Sequence, residues 1–411
     1  MISVEEYLDQ VTAGVEPLPT VELPLEQAAG CVLAEPLVAK LAVPPFTNSA
    51  MDGFAVRAED VKGASQDSPV TLPIFEDVAA GDSSDNELKP GHATRIMTGA
   101  PVPPGADAVV KVEDTNIKPG PVDLPDQVQF FRETAKGKNI RNVGENVQVG
   151  DTIAEAGLVV TPQLMSAAAS IGYDTLPVVR RPRVAVIATG TELVDPGHAL
   201  EPGKIPDSNS ILIAGLARSF GAEVTYKGRA EDTPDSLAKV YREAAEKADL
   251  IVTSGGVSAG AFDVVKELGT EAGFNFATVK MQPGKPQGNG AIEADGRSVK
   301  VVSLPGNPVS VYVSFILFVR PVLSIMAGFG RMDLQGIPAI AGADWTSSKG
   351  RRQFAPMVAK YSDEGVTVYP THEQSSGSHL IATLHKATGL VVVPDDIDEV
   401  AKGDTVEYFP L

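Results

Sequence analysis

The sequence predicts a multidomain α/β chain centred on a doubly wound sheet, with an elongated N-terminal segment, a β-rich insert and a C-terminal β-barrel. Three observations carry this. Between Arg183 and Ser310, the apolar runs 184–188, 250–253 and 299–303 each stop in a small-residue loop: TGTELVDPG, SGGVSAGAFD and LPGNPVS. Continuous Val/Ile/Leu runs suit parallel strands covered on both faces, and the glycines suit turns where backbone must approach a ligand closely. Helical signals alternate with these runs. Residues 210–220 stop at Gly221, and 233–248 opens on Thr233 as N-cap with Pro234 in the first turn. With a strand expected over 223–226 and a further helix over about 262–272, the alternation argues for a doubly wound sheet. Finally, short strand-like runs punctuated by Gly and Pro lie on both sides of this unit.

The flanks are legible in order. Ser3 and Glu6 can form a capping box, and Tyr7, Leu8 and Val11 give the helix it opens one apolar face. Pro17, Pro19 and Pro24 lead to a short helix ending near Gly30. From residue 43 the text changes to alternating runs at 53–57, 70–74, 92–97, 108–112 and 128–132, a β domain of its own. A helix is expected at 161–171. Beyond Gly330, runs at 339–341, 354–361, 366–369, 390–393 and 405–409 read as a small barrel or sandwich. The expected domains are therefore 1–42 with 147–177, 43–146, 178–328 and 329–411. Residues 309–326 are apolar apart from Ser310, Ser314, Arg320 and Ser324, long enough to raise a membrane span. Arg320, Pro321 and the strand feeding straight into the segment favour a buried, kinked core helix.

Composition narrows the function classes. The 411 residues carry 34 Lys plus Arg against 53 Asp plus Glu, a formal net charge of −19. No lysine-arginine cluster offsets it, so nucleic acid is disfavoured. Cys31 is the single cysteine, which excludes an internal disulfide and a thiolate metal cage and reads as a small buried apolar residue. The five histidines are too dispersed for a ligand motif, and Ser49, Ser258 and Ser310 lack a paired His and acid. The N-terminus has no basic region followed by an apolar core, so a cytoplasmic protein is expected.

The chemistry sits on loops. NSAMDGFAVR sets Asp52 before a turn-permitting Gly53; RIMTGAPVPPGADAVVKVEDT presents Thr98 and Gly99 at a strand end, then Glu113 and Asp114. KNIRNVGEN brings Lys138, Arg141 and Glu145. In the α/β unit Glu192, Asp207, Glu231, Asp232 and Asp263 lie in or beside strand-to-helix loops, while Ser254, Gly255, Gly256, Lys285 and Gly306 supply donors suited to anions. Loop carboxylates near backbone amides and a few cations suit Mg²⁺-assisted chemistry on a phosphorylated substrate. Plainer readings stand beside each: a lone GG or GNP is commonly a tight turn, and Asp207 beside Ser208 and Asn209 reads equally as a helix cap.

Taken together, these loops resemble the MoeA family of molybdopterin molybdenumtransferases, to which the gephyrin E domain also belongs. NSAMDGFAVR, RIMTGAPVPPGADAVV, GKNIR with GEN, ATGTEL, PDSN, TSGGVSAG with Asp263, QPGKP, LPGNPVS and GSH at 377–379 follow in the family's order along nearly the whole chain. The resemblance implies an elongated homodimer of four-domain subunits, the α/β domain being MogA-like and residues 1–42 with 147–177 serving dimerisation. It implies insertion of molybdate into adenylylated molybdopterin with release of AMP, Mg²⁺ as helper, and a molybdopterin adenylyltransferase as partner. Carried over by position, Asp52, Thr98, Glu192, Asp263, Lys285, Pro305 and Pro308 match residues lining the family's cleft, and Ser378 matches its C-terminal contribution. On this reading Ser254, Gly255, Gly256, Ser258, Gly306 and Asn307 hold the pterin phosphate. Glu192, Asp232 and Asp263 hold metal, and Lys138, Arg141 and Lys285 draw in the oxyanion.

Departures qualify the resemblance. Gly144-Glu145-Asn146 stands where the family commonly has GED, so a neutral amide replaces a carboxylate that could bind a cation. Thr47, Pro206 and Gln282 also differ from common family residues. A second expectation follows: a gephyrin-like dimeric scaffold that binds a linear peptide of a membrane receptor or cytoskeletal, cell-division protein at the C-terminal domain. Phe354, Tyr361 or Tyr369 would anchor it, with ordinary barrel core as the plainer role for each.

Overall fold

The computed structural model describes residues 1–82, 85–120, 123–231, 233–257, 273–372 and 377–411. They form two compact units, one of Met1–Glu22, Gly30–Ala34 and Pro177–Leu411, the other of Leu23–Ala29 and Glu35–Leu176. The helix expected at 262–272 lies outside the described residues.

The first unit is built on a six-stranded sheet of β1 (Arg183–Thr189), β2 (Glu223–Ala230), β3 (Leu250–Ser254), β4 (Asn275–Thr278), β5 (Pro286–Ala294) and β6 (Arg297–Leu304). Their order across the sheet is β2-β1-β3-β6-β5-β4, with β2, β1, β3 and β6 parallel, β5 antiparallel to β6 and β4 antiparallel to β5. The expected parallel centre is present. The hairpin at its edge escaped the sequence reading because Gln287, Gly288, Asn289 and Gly290 interrupt the apolar pattern. Those glycines answer to packing: an ideal Cβ on Gly290 would sit 2.3 Å from the Phe274 ring, and one on Gly288 2.9 Å from Phe276.

Period-two alternation sends successive residues of β1 into different cores. Val184 and Val186 join Ile213 and Ala217 of α2 (Asn209–Ser219), Tyr7 and Val11 of α1 (Val4–Thr12), and Phe315 and Phe318 of α4 (Pro308–Met326). Ala185 and Ile187 instead meet Leu237, Tyr241 and Ala244 of α3 (Pro234–Lys247). Both capping motifs form as the sequence predicts: Ser3 and Glu6 close a reciprocal box, and Thr233 accepts from the Ser236 amide at 3.4 Å. The Tyr7 ring is fully buried, edge-on to Phe318 at 4.8 Å between centroids. Burial of a ring such as Phe318 contributes roughly 1.5–3 kcal/mol.

Helix α4 is 19 residues long, and 89% of its most apolar 18-residue stretch is buried inside the protein, so it is a core helix. Its irregularity falls one turn earlier than Pro321 suggests: Phe315–Val319 is a π-helical segment. Widening the turn there accommodates the donor that Pro321 lacks and the crowding of its ring.

At the strands' N-terminal edge, Asp249 gathers three arginines. Arg180 and Arg183 each bond both of its carboxylate oxygens, the Arg183 amide adds a bond at 2.9 Å, and Arg297 stands 3.8 Å away. Burial alone would raise the Asp249 pKa; the hydrogen bonds from Arg180 and Arg183 outweigh it and hold the group well below the usual carboxylate range.

The C-terminal strands β7 (Ile337–Ala341), β8 (Arg352–Ser362), β9 (Gly365–Pro370), β10 (Gly389–Val393) and β11 (Thr405–Pro410) run β8-β9-β7-β11-β10, and β10 pairs back onto β8. The result is a closed five-stranded barrel, and closure removes the free edges. Met281–Gln282 adds to β8 in parallel, Met281 opposite Arg352 and Gln282 opposite Gln353. Phe354 is 3% exposed in the core shared with Leu390 and α4, the plainer of the two roles its sequence allowed and not that of a surface anchor. Tyr361 is exposed, and Tyr369 lies half-buried beneath the Lys360 ammonium.

The second unit holds a five-stranded sheet ordered Ala108–Lys111, Gly53–Val56, Ala93–Ile96, Val70–Val78, Gln127–Phe130, matching the five expected runs. Phe54 and Phe130 pack edge-to-face across it at 6.0 Å. The helix expected at 161–171 is present as Pro162–Ser170, with Thr161 as its cap.

Candidate functional site

Three neighbouring strands of the first unit end level with one another. Ala188 of β1 pairs with Ser254 of β3, which pairs with Leu304 of β6. Each strand then turns on glycine: Gly190 at φ +135°, Gly255 at +89° and Gly256 at +72°, and Gly306 after Pro305. The Gly255 amide donates to the Leu304 carbonyl at 3.0 Å, and the Thr189 hydroxyl donates to the Ser254 carbonyl at 3.2 Å. An ideal Cβ on Gly306 would stand 3.8 Å from the Gly255 Cα, so the two turns face each other without side chains between them. The C-terminal ends of parallel strands are where open α/β sheets bind ligands, and bare backbone admits a ligand to contact distance.

Glu192 rides on the excursion that follows β1. Leu193–Val194 pairs in parallel with Ile205–Pro206, and the Ile205 amide donates to the Glu192 carbonyl at 2.9 Å. The Glu192 carboxylate folds back over Gly190, where a Cβ would meet its oxygen at 2.4 Å. Asp207 is buried and accepts from the Ser210 amide at 3.0 Å, the helix-capping role that the sequence allowed it. Asn209, unassigned in the sequence reading, donates from Nδ2 to the Gly306 carbonyl at 2.7 Å. Its place in PDSN, immediately before a helix, was the available signal.

The third wall comes from α4. Pro308 occupies its first turn, and Asn307 at the N-cap directs Nδ2 not to its own helix but to Ser378 Oγ, at 2.9 Å. The Ser378 carbonyl accepts the Val309 amide at 3.1 Å, satisfying one of the free N–H groups that a helix start carries. The barrel's segment is thereby fastened to the LPGNP turn. Lys285 is exposed on the loop between Met281–Gln282 and β5. The structure thus assembles Glu192, Ser254, Gly255, Gly256, Pro305, Gly306, Asn307, Pro308 and Ser378 around neighbouring strand and helix ends. Ser258 and Asp263 lie outside the described residues, as does Asp232.

Asp52, Thr98, Lys138 and Arg141 belong to the second unit. Asp52 Oδ1 accepts the Thr98 amide at 2.7 Å. That bond, with a second from the Thr98 hydroxyl, lowers the Asp52 pKa against the small opposing effect of burial. The pair lines a cavity of about 480 Å³ together with Arg95, Glu113 and Lys118. Arg141 lies opposite Asn48 in a short antiparallel ladder, Ile140–Arg141 on Asn48–Ser49. The Lys138 carbonyl accepts from Val109 at 3.0 Å, and both cationic side chains are exposed. Asn146 is exposed, its amide donating to the Val43 carbonyl at 2.9 Å.

Among the described residues no cluster of three or more His, Cys, Asp or Glu side chains could hold a metal ion. Mg²⁺ needs no such cage: it keeps several waters and takes one or two carboxylates plus substrate phosphate oxygens. The exposed Glu192 carboxylate beside the bare turns fits that pattern.

Comparison with known proteins agrees along the chain. Residues 2–172 match the MoeA N-terminal region (domain I and II), 185–324 a probable molybdopterin binding domain, and 338–411 the MoeA C-terminal region (domain IV). Molybdopterin molybdenumtransferase 2 of Mycobacterium tuberculosis is 42% identical over 418 residues, covering 100% of both chains. Molybdopterin molybdenumtransferase of Staphylococcus aureus is 35% identical over 408 residues, covering 99% of this chain and 94% of its own. The crystal structure of the molybdopterin biosynthesis MoeA protein from Pyrococcus horikoshii superposes with a TM-score of 0.80 at 30% identity, covering 100% of this chain and 99% of the other. With fold, motif order and end-to-end identity in agreement, the chain belongs to the MoeA family of molybdopterin molybdenumtransferases.

Proposed function

We propose that this protein transfers molybdenum from molybdate to adenylylated molybdopterin, releasing AMP and the finished cofactor. The observation that carries the reading is the meeting of three glycine turns at level ends of parallel strands, in a chain matching transferases from end to end. The turns at Ser254-Gly255-Gly256 and Pro305-Gly306-Asn307-Pro308 would receive the pterin phosphate, close to the N-terminus of α4. Lys285 would meet the anionic leaving group, and Ser378 would hold the turn that faces it. Asp52, Thr98, Lys138 and Arg141 would also serve the reaction, the two cations attracting an oxyanion against the chain's net charge of −19. Glu192, with Asp263 and Asp232, would hold Mg²⁺ with substrate oxygens, and the ion would supply neutralisation of phosphate charge. The driving force is the phosphoanhydride, so the side chains position the reactants and offset charge.

Homodimerisation belongs to the same proposal. Leu41, Val149, Leu158 and Val159 of the second unit are large apolar side chains between 41% and 67% exposed, the kind of surface a second subunit covers. A molybdopterin adenylyltransferase would supply the substrate, and the cytoplasm is the expected compartment. The peptide-binding scaffold is not favoured, since the full-length relatives carry transferase names and Phe354 is buried. Complementation tests the proposal: in a strain lacking this transferase, expression of the chain restores molybdoenzyme activity. Continued absence of that activity, with normal expression, would refute it.

A further inference from the structure

The loop that carries Lys285 is held by one buried amide. Gln287 is 1% exposed and Ser314, on α4, is fully buried. Gln287 Nε2 donates to the Gly284 carbonyl at 2.7 Å and to Ser314 Oγ at 2.6 Å, so both of its hydrogens are used. Gln287 Oε1 is buried with no partner among the described residues. Rotating the amide would set that oxygen against the Gly284 carbonyl oxygen, which fixes the orientation. A residue needed only to fill this space would be apolar, because an unpaired buried oxygen carries a desolvation penalty.

Space-filling therefore does not account for this amide. We propose that Gln287 and Ser314 are positioning residues that set the direction in which Lys285 leaves its loop. The Gly284 carbonyl belongs to the peptide that ends at the Lys285 nitrogen, so holding that oxygen orients the peptide plane from which Lys285 projects. Gly284 has φ +95°, and a Cβ there would lie 2.8 Å from Ser314 Oγ, so the loop rests against α4 with no room for a side chain. The Lys285 carbonyl is held too, accepting from Val279 at 2.8 Å. Because α4 begins at the Pro305–Pro308 turn, a single amide fastens the lysine loop to the helix whose start borders the facing turn. The inference rests on the transferase reading, in which Lys285 meets the anionic group of the substrate.

The test is a double-mutant cycle with AMP release as readout. Gln287→Leu lowers kcat about 10- to 100-fold, the scale set by a misplacement of about 1 Å, with the smaller effect on KM. In a Lys285→Ala background the same change adds less than about threefold, because its effect runs through the missing ammonium. Multiplying losses would overturn the proposal. Ser314→Ala, a smaller change, repeats the pattern should Gln287→Leu fold poorly. Tyr241→Phe, which removes a buried hydroxyl on the far face of the sheet, controls for general destabilisation and leaves kcat unchanged. Hydrogen exchange separates this proposal from the transferase reading. With Gln287→Leu, amides in 279–287 exchange about tenfold faster or more while those in 250–254 keep their protection. Wild-type protein that releases no AMP would end the transferase reading; unaltered exchange in 279–287 would end this one.

Discussion

Gly255 stands directly against Thr189: a Cβ built on the glycine would lie 2.8 Å from the threonine hydroxyl and 3.0 Å from its carbonyl oxygen. With φ at +89°, the position is unfavourable to any other residue on two independent grounds. Gly255→Ala is expected to destabilise the protein by about 2–3 kcal/mol through left-handed strain and crowding, and to displace the turn from its partner at Gly306. Denaturant titration alongside AMP release checks this; a variant with native stability and full activity would show that the turn need not be bare.

The bond from Asn307 Nδ2 to Ser378 Oγ joins the barrel's segment to the start of α4. Removing either partner is expected to cost only about 1 kcal/mol of stability, since the bond is solvent-accessible. Activity should fall further than stability. Asn307→Ala and Ser378→Ala are predicted to lower kcat/KM about tenfold each, with melting temperatures within a few degrees of wild type. Steady-state kinetics and thermal unfolding of the two variants decide it, and unchanged kcat/KM in both would count against a role for this contact.

Asp249 gives the protein an acid limb. Its pKa is lowered on folding, so its contribution to stability is complete above the unfolded carboxylate pKa of about 3.9 and is lost as pH falls below that value. Asp249→Asn is expected to destabilise by about 3 kcal/mol at pH 7, the scale of an orphaned buried ion pair, and to flatten the wild-type decline below pH 4. Urea midpoints from pH 7 down to pH 3 measure both effects.

Asp52 is held ionised by the Thr98 amide and hydroxyl. A carboxylate with a lowered pKa cannot serve as a proton donor near neutrality, so its proposed part in the reaction is confined to charge or hydrogen-bond acceptance. Asp52→Asn is therefore predicted to lower kcat at every pH above about 5 without shifting the shape of the pH–rate profile. Loss of a profile limb in the variant would instead assign Asp52 a titrating role.

The parallel core was readable because both faces are covered, which leaves continuous apolar runs at β1, β3 and β6, each stopped by glycine. The β5 hairpin was not, since Gln287, Gly288, Asn289 and Gly290 trade apolar patterning for close approach to Phe274 and Phe276. Phe354 shows a similar limit. An aromatic in an alternating strand reads the same whether it faces solvent or a helix, and only α4 packed against the barrel makes it core. At the site, motif residues were visible one by one, while the contacts that organise them were not. Asn209 to Gly306, Asn307 to Ser378 and Gln287 to Ser314 span separations of 97, 71 and 27 residues, so no local pattern reports them. Ser314 left only a trace, as one of the few polar positions, with Ser310, Arg320 and Ser324, in an otherwise apolar helix.

The resemblance leads one to expect a carboxylate where Asn146 stands, which makes the wild-type reaction itself the sharpest test. Purified protein given adenylylated molybdopterin, Mg²⁺ and molybdate is predicted to release AMP in step with cofactor that reactivates an apo-molybdoenzyme, and Gly255→Ala is predicted to do neither. Wild-type protein that leaves the adenylylated substrate intact under these conditions would contradict the account.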